Sequence, residues 1–153
     1  MRKFITLIPA KKYSSNLKNK NILKIKKKFL FEYPLNVALD TSKLKNSIGI
    51  STNSKFILQK SKRLNIKYIV KRSNNLSTKN SKISETVKHF LNFINYQKKG
   101  YNTLVLLEPT SPLTTSKHLN LALKKYIEQY PRSKALVSLG VNDKININNL
   151  FTI

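Results

Sequence analysis

Short apolar runs alternate along the chain with longer stretches whose apolar residues recur every three or four positions. Residues 4–8, Phe-Ile-Thr-Leu-Ile, form a β-branched run closed by Pro9, the mark of a buried strand. Similar runs at 48–51, 67–70, 103–107 and 135–139 predict four more strands. The unbroken apolarity of 103–107 predicts a central parallel strand covered on both faces, stopped by the Glu108-Pro109-Thr110-Ser111-Pro112 turn. Between the strands lie helical stretches. One starts at Pro34 and carries Leu35, Val37, Ala38, Leu39 and Leu44; another carries Phe56, Ile57, Lys60 and Leu64. The clearest stripe is Ile83, Val87, Phe90, Leu91 and Ile94, with Ser81 placed as N-cap and Gly100 as terminator. Ser116 stands where it would cap a last helix with Leu119, Ala122, Leu123, Tyr126, Ile127 and Tyr130 inside.

Two segments escape this pattern. Residues 10–28 hold eight Lys and no Gly and read as a long loop that orders on a ligand; residues 140–153 are Asn-rich and irregular until Leu150 and Phe151. No internal repeat is present. Strands alternating with helices at this spacing predict an α/β three-layer sandwich with a mostly parallel sheet and right-handed crossovers. The length of 153 residues predicts a single domain over 1–153. Such sheets bind ligands beyond the carboxyl ends of their strands, which directs attention to residues 10–21, 51–54, 71–85 and 108–114.

Charge changes the picture next. Thirty Lys and Arg against six Asp and Glu give +24, a balance that suits a polyanionic partner. The 26 Lys, 18 Asn and 15 Ile also share A/T-rich codons, so genome composition accounts for the same bias equally well. The run Lys24-Ile25-Lys26-Lys27-Lys28 matches no nucleic-acid motif and lacks interleaved aromatics, which makes nucleic acid the weaker reading. The absence of cysteine excludes disulfides, thiolate zinc sites and cysteine nucleophiles, and fits the cytoplasm. No apolar run approaches the roughly 18 residues of a membrane span, so no membrane partner is expected.

The motifs themselves resemble a family. Ile8-Pro9-Ala10, then Ser14, then Lys20-Asn21-Ile22 resemble the opening motif I-P-A-R-G-G-S-K-x-x-x-x-K-N-I of the CMP-sialic acid synthetases, the acylneuraminate cytidylyltransferases. Leu107-Glu108-Pro109-Thr110-Ser111-Pro112-Leu113 resembles their later Q-P-T-S-P-L-R. Ser51-Thr52-Asn53-Ser54 is similar to the family's S-T-D-D, and Arg72 with Leu76, then Glu85 and His89, to its R-P-x-x-L-x-x-D stretch and S-x-D-x-x-x-H helix. The resemblance implies a nucleotide-diphospho-sugar transferase fold. It implies transfer of CMP from CTP to a sialic-acid-like acidic sugar, with Mg²⁺ as cofactor and release of pyrophosphate. Lys11, Ser14, Lys20 and Asn21 would then lie at the nucleotide and Glu108 and Thr110 at the sugar, while homo-oligomerisation stays open.

The departures are equally specific. Lys11 replaces the family's Arg and loses its bidentate fork, and Lys12 and Tyr13 replace two glycines that let backbone approach phosphate. Asn53 and Ser54 replace the two Asp, Glu108 the Gln, and Thr114 the Arg. The family's domain runs beyond the length of this chain and carries an Asp-x-Asp metal pair. Here no two of the six carboxylates lie within four residues of each other, so no metal ligands and no catalytic group are assigned from the sequence. A truncated, catalytically inactive remnant that at most binds a nucleotide or a partner is therefore the second reading. Glu85 suits a helix N-terminus without a catalytic role, and His89 and His118 have neither triad nor metal spacing.

Overall fold

The computed structural model describes residues 2–14 and 17–138. Strand β1 (Phe4–Pro9) is followed by a 3-10 turn (Lys20–Ile22) and a small antiparallel hairpin of β2 (Lys24–Ile25) and β3 (Lys28–Phe29). Then come α1 (Glu32–Leu39), β4 (Ile48–Thr52), α2 (Lys55–Arg63), β5 (Tyr68–Lys71), α3 (Ile83–Ile94), β6 (Thr103–Leu106) and α4 (Ser116–Gln129). Four strands pair in parallel in the order β5-β4-β1-β6.

Side-chain alternation along the strands splits the core in two. On one face Ile8, Ala10, Ile48 and Ile50 pack with Phe31, Leu35 and Ala38 of the α1 segment and Ile57 of α2. On the other, Ile5, Leu7, Tyr68 and Val70 pack with Phe90 and Ile94 of α3. Helices thus cover both faces, as the three-layer expectation requires. Gly49 shows how tight the second face is: a Cβ there would fall 2.3 Å from the Phe90 ring, so only glycine lets α3 lie against β4 at this point.

Several local expectations change. Residues 10–28 are not one loop, because the β2–β3 hairpin is anchored from outside. Glu32 accepts the Phe29 N–H at 2.7 Å and pairs with Lys60 at 2.9 Å, and the Tyr33 hydroxyl donates to the Ile25 carbonyl. Two-residue strands carry no periodicity to read. The first helix begins at Glu32, two residues before Pro34, and ends before Leu44. The cap of α3 is Lys82, whose N–H is accepted by Glu85 at 3.1 Å, while the Ser81 hydroxyl donates to the Thr78 carbonyl. Asn95 at φ +52° ends α3, five residues before Gly100, since Asn tolerates the left-handed conformation. Thr115, not Ser116, caps α4: its hydroxyl accepts the His118 N–H and His118 Nδ1 accepts the Thr115 N–H. Strand β6 is an edge strand among the described residues, half-buried, with Leu106 39% exposed, because no described strand pairs with its outer side.

Contacts divide the chain after Asn120. The first unit holds the sheet and α1 to α3. In the second, the Tyr126 and Tyr130 rings lie 6.2 Å apart, tilted by 51°, and Lys124 reaches Glu128 at 3.9 Å along the helix. Residues 135–138 of the predicted fifth strand pair with no strand, and Leu139 together with 140–153 lies outside the described residues. No helix among the described residues is long and apolar enough to cross a membrane.

Candidate functional site

The strand order creates a site before any side chain is considered. From β1 the chain crosses to β4 and β5 on one side, then returns through α3 to β6 on the other side of β1. The loops leaving the carboxyl ends of β1 and β6 therefore diverge, opening the crevice where parallel sheets hold ligands. A cleft of about 190 Å³ lies there, lined by Pro9 at the end of β1 and Lys11 after it and by Glu108, Pro109 and Thr110 after β6. Lys20, Asn21 and Arg72 supply one wall, and Ser81, Ile83 and Thr86 at the start of α3 the other.

The loop after β1 is held by the strand beside it. Ala10 N–H donates to the Ser51 carbonyl at 2.9 Å, Thr52 Oγ1 donates to the Ala10 carbonyl, and Lys12 N–H donates to Asn53 Oδ1 at 2.7 Å. Asn53 thus serves as a backbone clamp, and Ser54 caps α2 by accepting the Ile57 N–H at 3.4 Å. A neutral amide and a hydroxyl perform both tasks without added negative charge near the cleft.

Within the cleft, Asn21 is 3% exposed; its Nδ2 donates to the Lys11 carbonyl at 2.8 Å, which leaves Oδ1 a buried acceptor without a partner. A buried acceptor left unpaired costs about 1–3 kcal/mol, and a ligand donor removes that cost. Lys11 Nζ donates to the Thr78 carbonyl at 3.1 Å, so its charge is neutralised by no acid. Lys20 also lines the cleft, half-buried, at the start of its 3-10 turn. Glu108 accepts from the Thr110 hydroxyl at 3.2 Å, so these two form one exposed unit at the β6 rim. Ser14 does not line the cleft.

Arg72 is the cation that sequence reading passed over as a site residue. It is 4% exposed, and among the described residues its guanidinium donates to Ser51, Nε to the hydroxyl at 3.2 Å and Nη2 to the carbonyl at 3.1 Å. Burial pushes its pKa down to about 10, still fully charged at neutral pH. A buried charge with only neutral partners is costly, and an incoming anion relieves the cost. The signal available in the sequence was its position two residues past the third strand-like run, at the ligand edge of the sheet. Glu85 and His118 are absorbed by helix caps, and His89 has a buried, unpartnered Nδ1 on α3 without lining the cleft.

Mg²⁺ keeps several waters and is usually bound through one or two protein carboxylates together with substrate phosphates, whereas a site that holds it without substrate needs a fuller set of hard oxygen ligands. The cleft offers Glu108 alone, and no group of three or more His, Asp or Glu exists among the described residues. One exposed carboxylate, already accepting from Thr110 and set among three cations, does not fit a Mg²⁺ held by the described residues themselves. They fit an anion with hydrogen-bond donors of its own.

Comparison with known proteins agrees with this geometry. The sequence profile of the cytidylyltransferase family matches residues 5–150. An N-acylneuraminate cytidylyltransferase of Escherichia coli is 31% identical over 130 residues, 84% of this chain and 30% of that protein. Among solved structures, a cytidylyltransferase from Leptospira borgpetersenii serovar Hardjo-bovis superposes with a TM-score of 0.64 at 18% identity, covering 86% of this chain and 52% of its own. A CMP:2-keto-3-deoxy-manno-octonic acid synthetase complexed with CTP superposes with a TM-score of 0.65 at 18% identity, covering 84% and 49%. The chain thus spans about a third of the curated relative's length and about half that of the two structures.

Proposed function

The chain belongs to the cytidylyltransferase family, and from that premise we propose that its β1–β6 cleft binds CTP and serves nucleotidyl transfer to an acidic sugar of the sialic acid class. The observation that carries the reading is Arg72, a buried guanidinium without an acidic partner among the described residues, lining a cleft at the switch point of the sheet. Lys11, Lys20 and Arg72 supply positive charge for the phosphates, and Asn21 Oδ1 awaits a donor such as an amino or hydroxyl group of the nucleoside. In the reaction a sugar hydroxyl oxygen bonds to the α-phosphorus while the bond to the bridging oxygen breaks, and pyrophosphate leaves with the electron pair. The hydroxyl proton passes to solvent. Cations fixed around the phosphates stabilise the charge that builds up along this path.

A second reading follows from one specific feature, the single carboxylate in the cleft, together with the non-glycine residues Lys12 and Tyr13 in the opening loop. It holds that the chain binds nucleotide without turning it over. Thermal unfolding with each nucleoside triphosphate tests what both readings share. CTP at about a hundredfold its dissociation constant stabilises the native state by ~2.7 kcal/mol, a rise of roughly 5–10 °C at this chain length. A melt unmoved by CTP, or moved equally by every triphosphate, refutes the reading. Pyrophosphate release with CTP and a panel of acidic sugars then separates the enzyme from the binding protein.

A further inference from the structure

We propose that the cleft takes its nucleotide as the metal-free anion, with fixed lysine and arginine charges in the electrostatic role that a divalent cation fills elsewhere; this rests on the nucleotide reading above. The argument is a count of where the carboxylates went. Glu32 is paired with Lys60 at 2.9 Å and holds the hairpin backbone; Glu85 caps α3; Glu128 lies on α4 beside Lys124. Asp40 follows the end of α1 and does not line the cleft. Asp143 lies outside the described residues. Among the described residues Glu108 is the one carboxylate lining the cleft, alongside Lys11, Lys20 and Arg72, and it accepts from the Thr110 hydroxyl.

A cavity with this sign attracts the most negative form of its ligand and repels a cation arriving with it. Magnesium bound to a triphosphate cancels two of its charges, and with them part of the attraction to Arg72 and the two lysines. Among the described residues of the cleft the magnesium would meet one carboxylate, Glu108, set among three cations. Selectivity therefore favours the free triphosphate over its magnesium complex, the reverse of a site built around carboxylates.

The test is a calorimetric titration of the full chain with CTP, in EDTA and again in Mg²⁺ sufficient to saturate the nucleotide, at constant ionic strength. We expect affinity about tenfold weaker in Mg²⁺, the loss of one charge-assisted contact. Affinity equal or tighter in Mg²⁺ overturns the inference while leaving the nucleotide reading standing. Binding absent under both conditions overturns both. Glu108→Gln supplies an independent arm on an exposed rim residue. CTP should bind the variant more tightly in EDTA, with the Mg²⁺ penalty retained; a gain from Mg²⁺ that the substitution abolishes would show Glu108 recruiting the metal and overturn the proposal.

Discussion

At the amino end of the sheet, Tyr68 and Tyr101 share a hydroxyl hydrogen bond of 3.1 Å, and Lys3, Lys67 and Lys99 each lie 5.2–5.6 Å from one of the two ring centroids. Lys3 Nζ also donates to the Lys99 carbonyl at 2.6 Å. At the carboxyl end, Arg72 and Lys11 find only hydroxyl and carbonyl oxygens, and Asn21 Oδ1 finds nothing. The same excess of cations is spent differently at the two ends. Exposed lysines over aromatic faces keep their hydration and gain a small attraction. A buried guanidinium among neutral dipoles has lost its water without acquiring a counter-charge, a deficit that only a ligand makes good. On the proposed reading, the amino end serves stability and the carboxyl end serves binding.

Substitutions at the two ends should separate these roles. The largest effect is expected at Gly49, paired with Tyr68 and pressed against Phe90. Gly49→Ala should destabilise the fold by about 3 kcal/mol through overpacking, read as a lower urea midpoint. In whatever fraction remains folded, CTP affinity should be retained. Arg72→Met comes next and inverts the pattern, with CTP affinity falling about thirtyfold, roughly 2 kcal/mol, while the unfolding midpoint holds or rises. Loss of stability in that variant would place Arg72 among the structural residues and dissolve the contrast.

The smallest effect is at Tyr101, where Tyr101→Phe should cost about 1 kcal/mol by stranding the Tyr68 hydroxyl, with no change in CTP binding. The two ends should also titrate in opposite senses. Burial, aided by the bond to Tyr68, raises the Tyr101 phenol above its ordinary value of 10.0, so its folded form keeps a proton that the unfolded chain releases. That contribution is complete below pH 10 and is lost as pH rises further. Burial lowers Arg72 from its ordinary value to about 10, so its penalty is complete below pH 10 and lessens as pH climbs further. Alkaline melts of Tyr101→Phe should accordingly fall less steeply than those of the parent, and those of Arg72→Met more steeply. Parallel curves for all three proteins would remove the electrostatic distinction.

Much of this was legible along the chain, and the exceptions have physical causes. The α3 stripe, of which Phe90 and Ile94 are buried while Ile83 at its start is exposed, and the apolar runs of β1, β4 and β5 mark elements whose side chains enter the core, so local periodicity records them. Lys11, Lys20, Asn21, Glu108 and Thr110 were reached through motif order, and they do come together at the cleft. Caps were misplaced by one residue or more, because Ser81, Lys82, Thr115 and Ser116 are all tolerable there and the choice depends on which partner swings back. The β2–β3 hairpin was invisible because Glu32 and Tyr33, outside it, hold it together.

The residue order by itself determined that the chain would form a parallel α/β sandwich of the cytidylyltransferase kind, since strand and helix periods and motif order are written locally. Only the tertiary structure decided which of thirty cations matters. Motif order marks Arg72 as resembling a family position, but it does not show that this cation is buried while Lys71 beside it is exposed. The two differ because the crossover from β5 through α3 to β6 buries Arg72 at the switch point, and desolvation is a property of the assembled surroundings and not of the side chain.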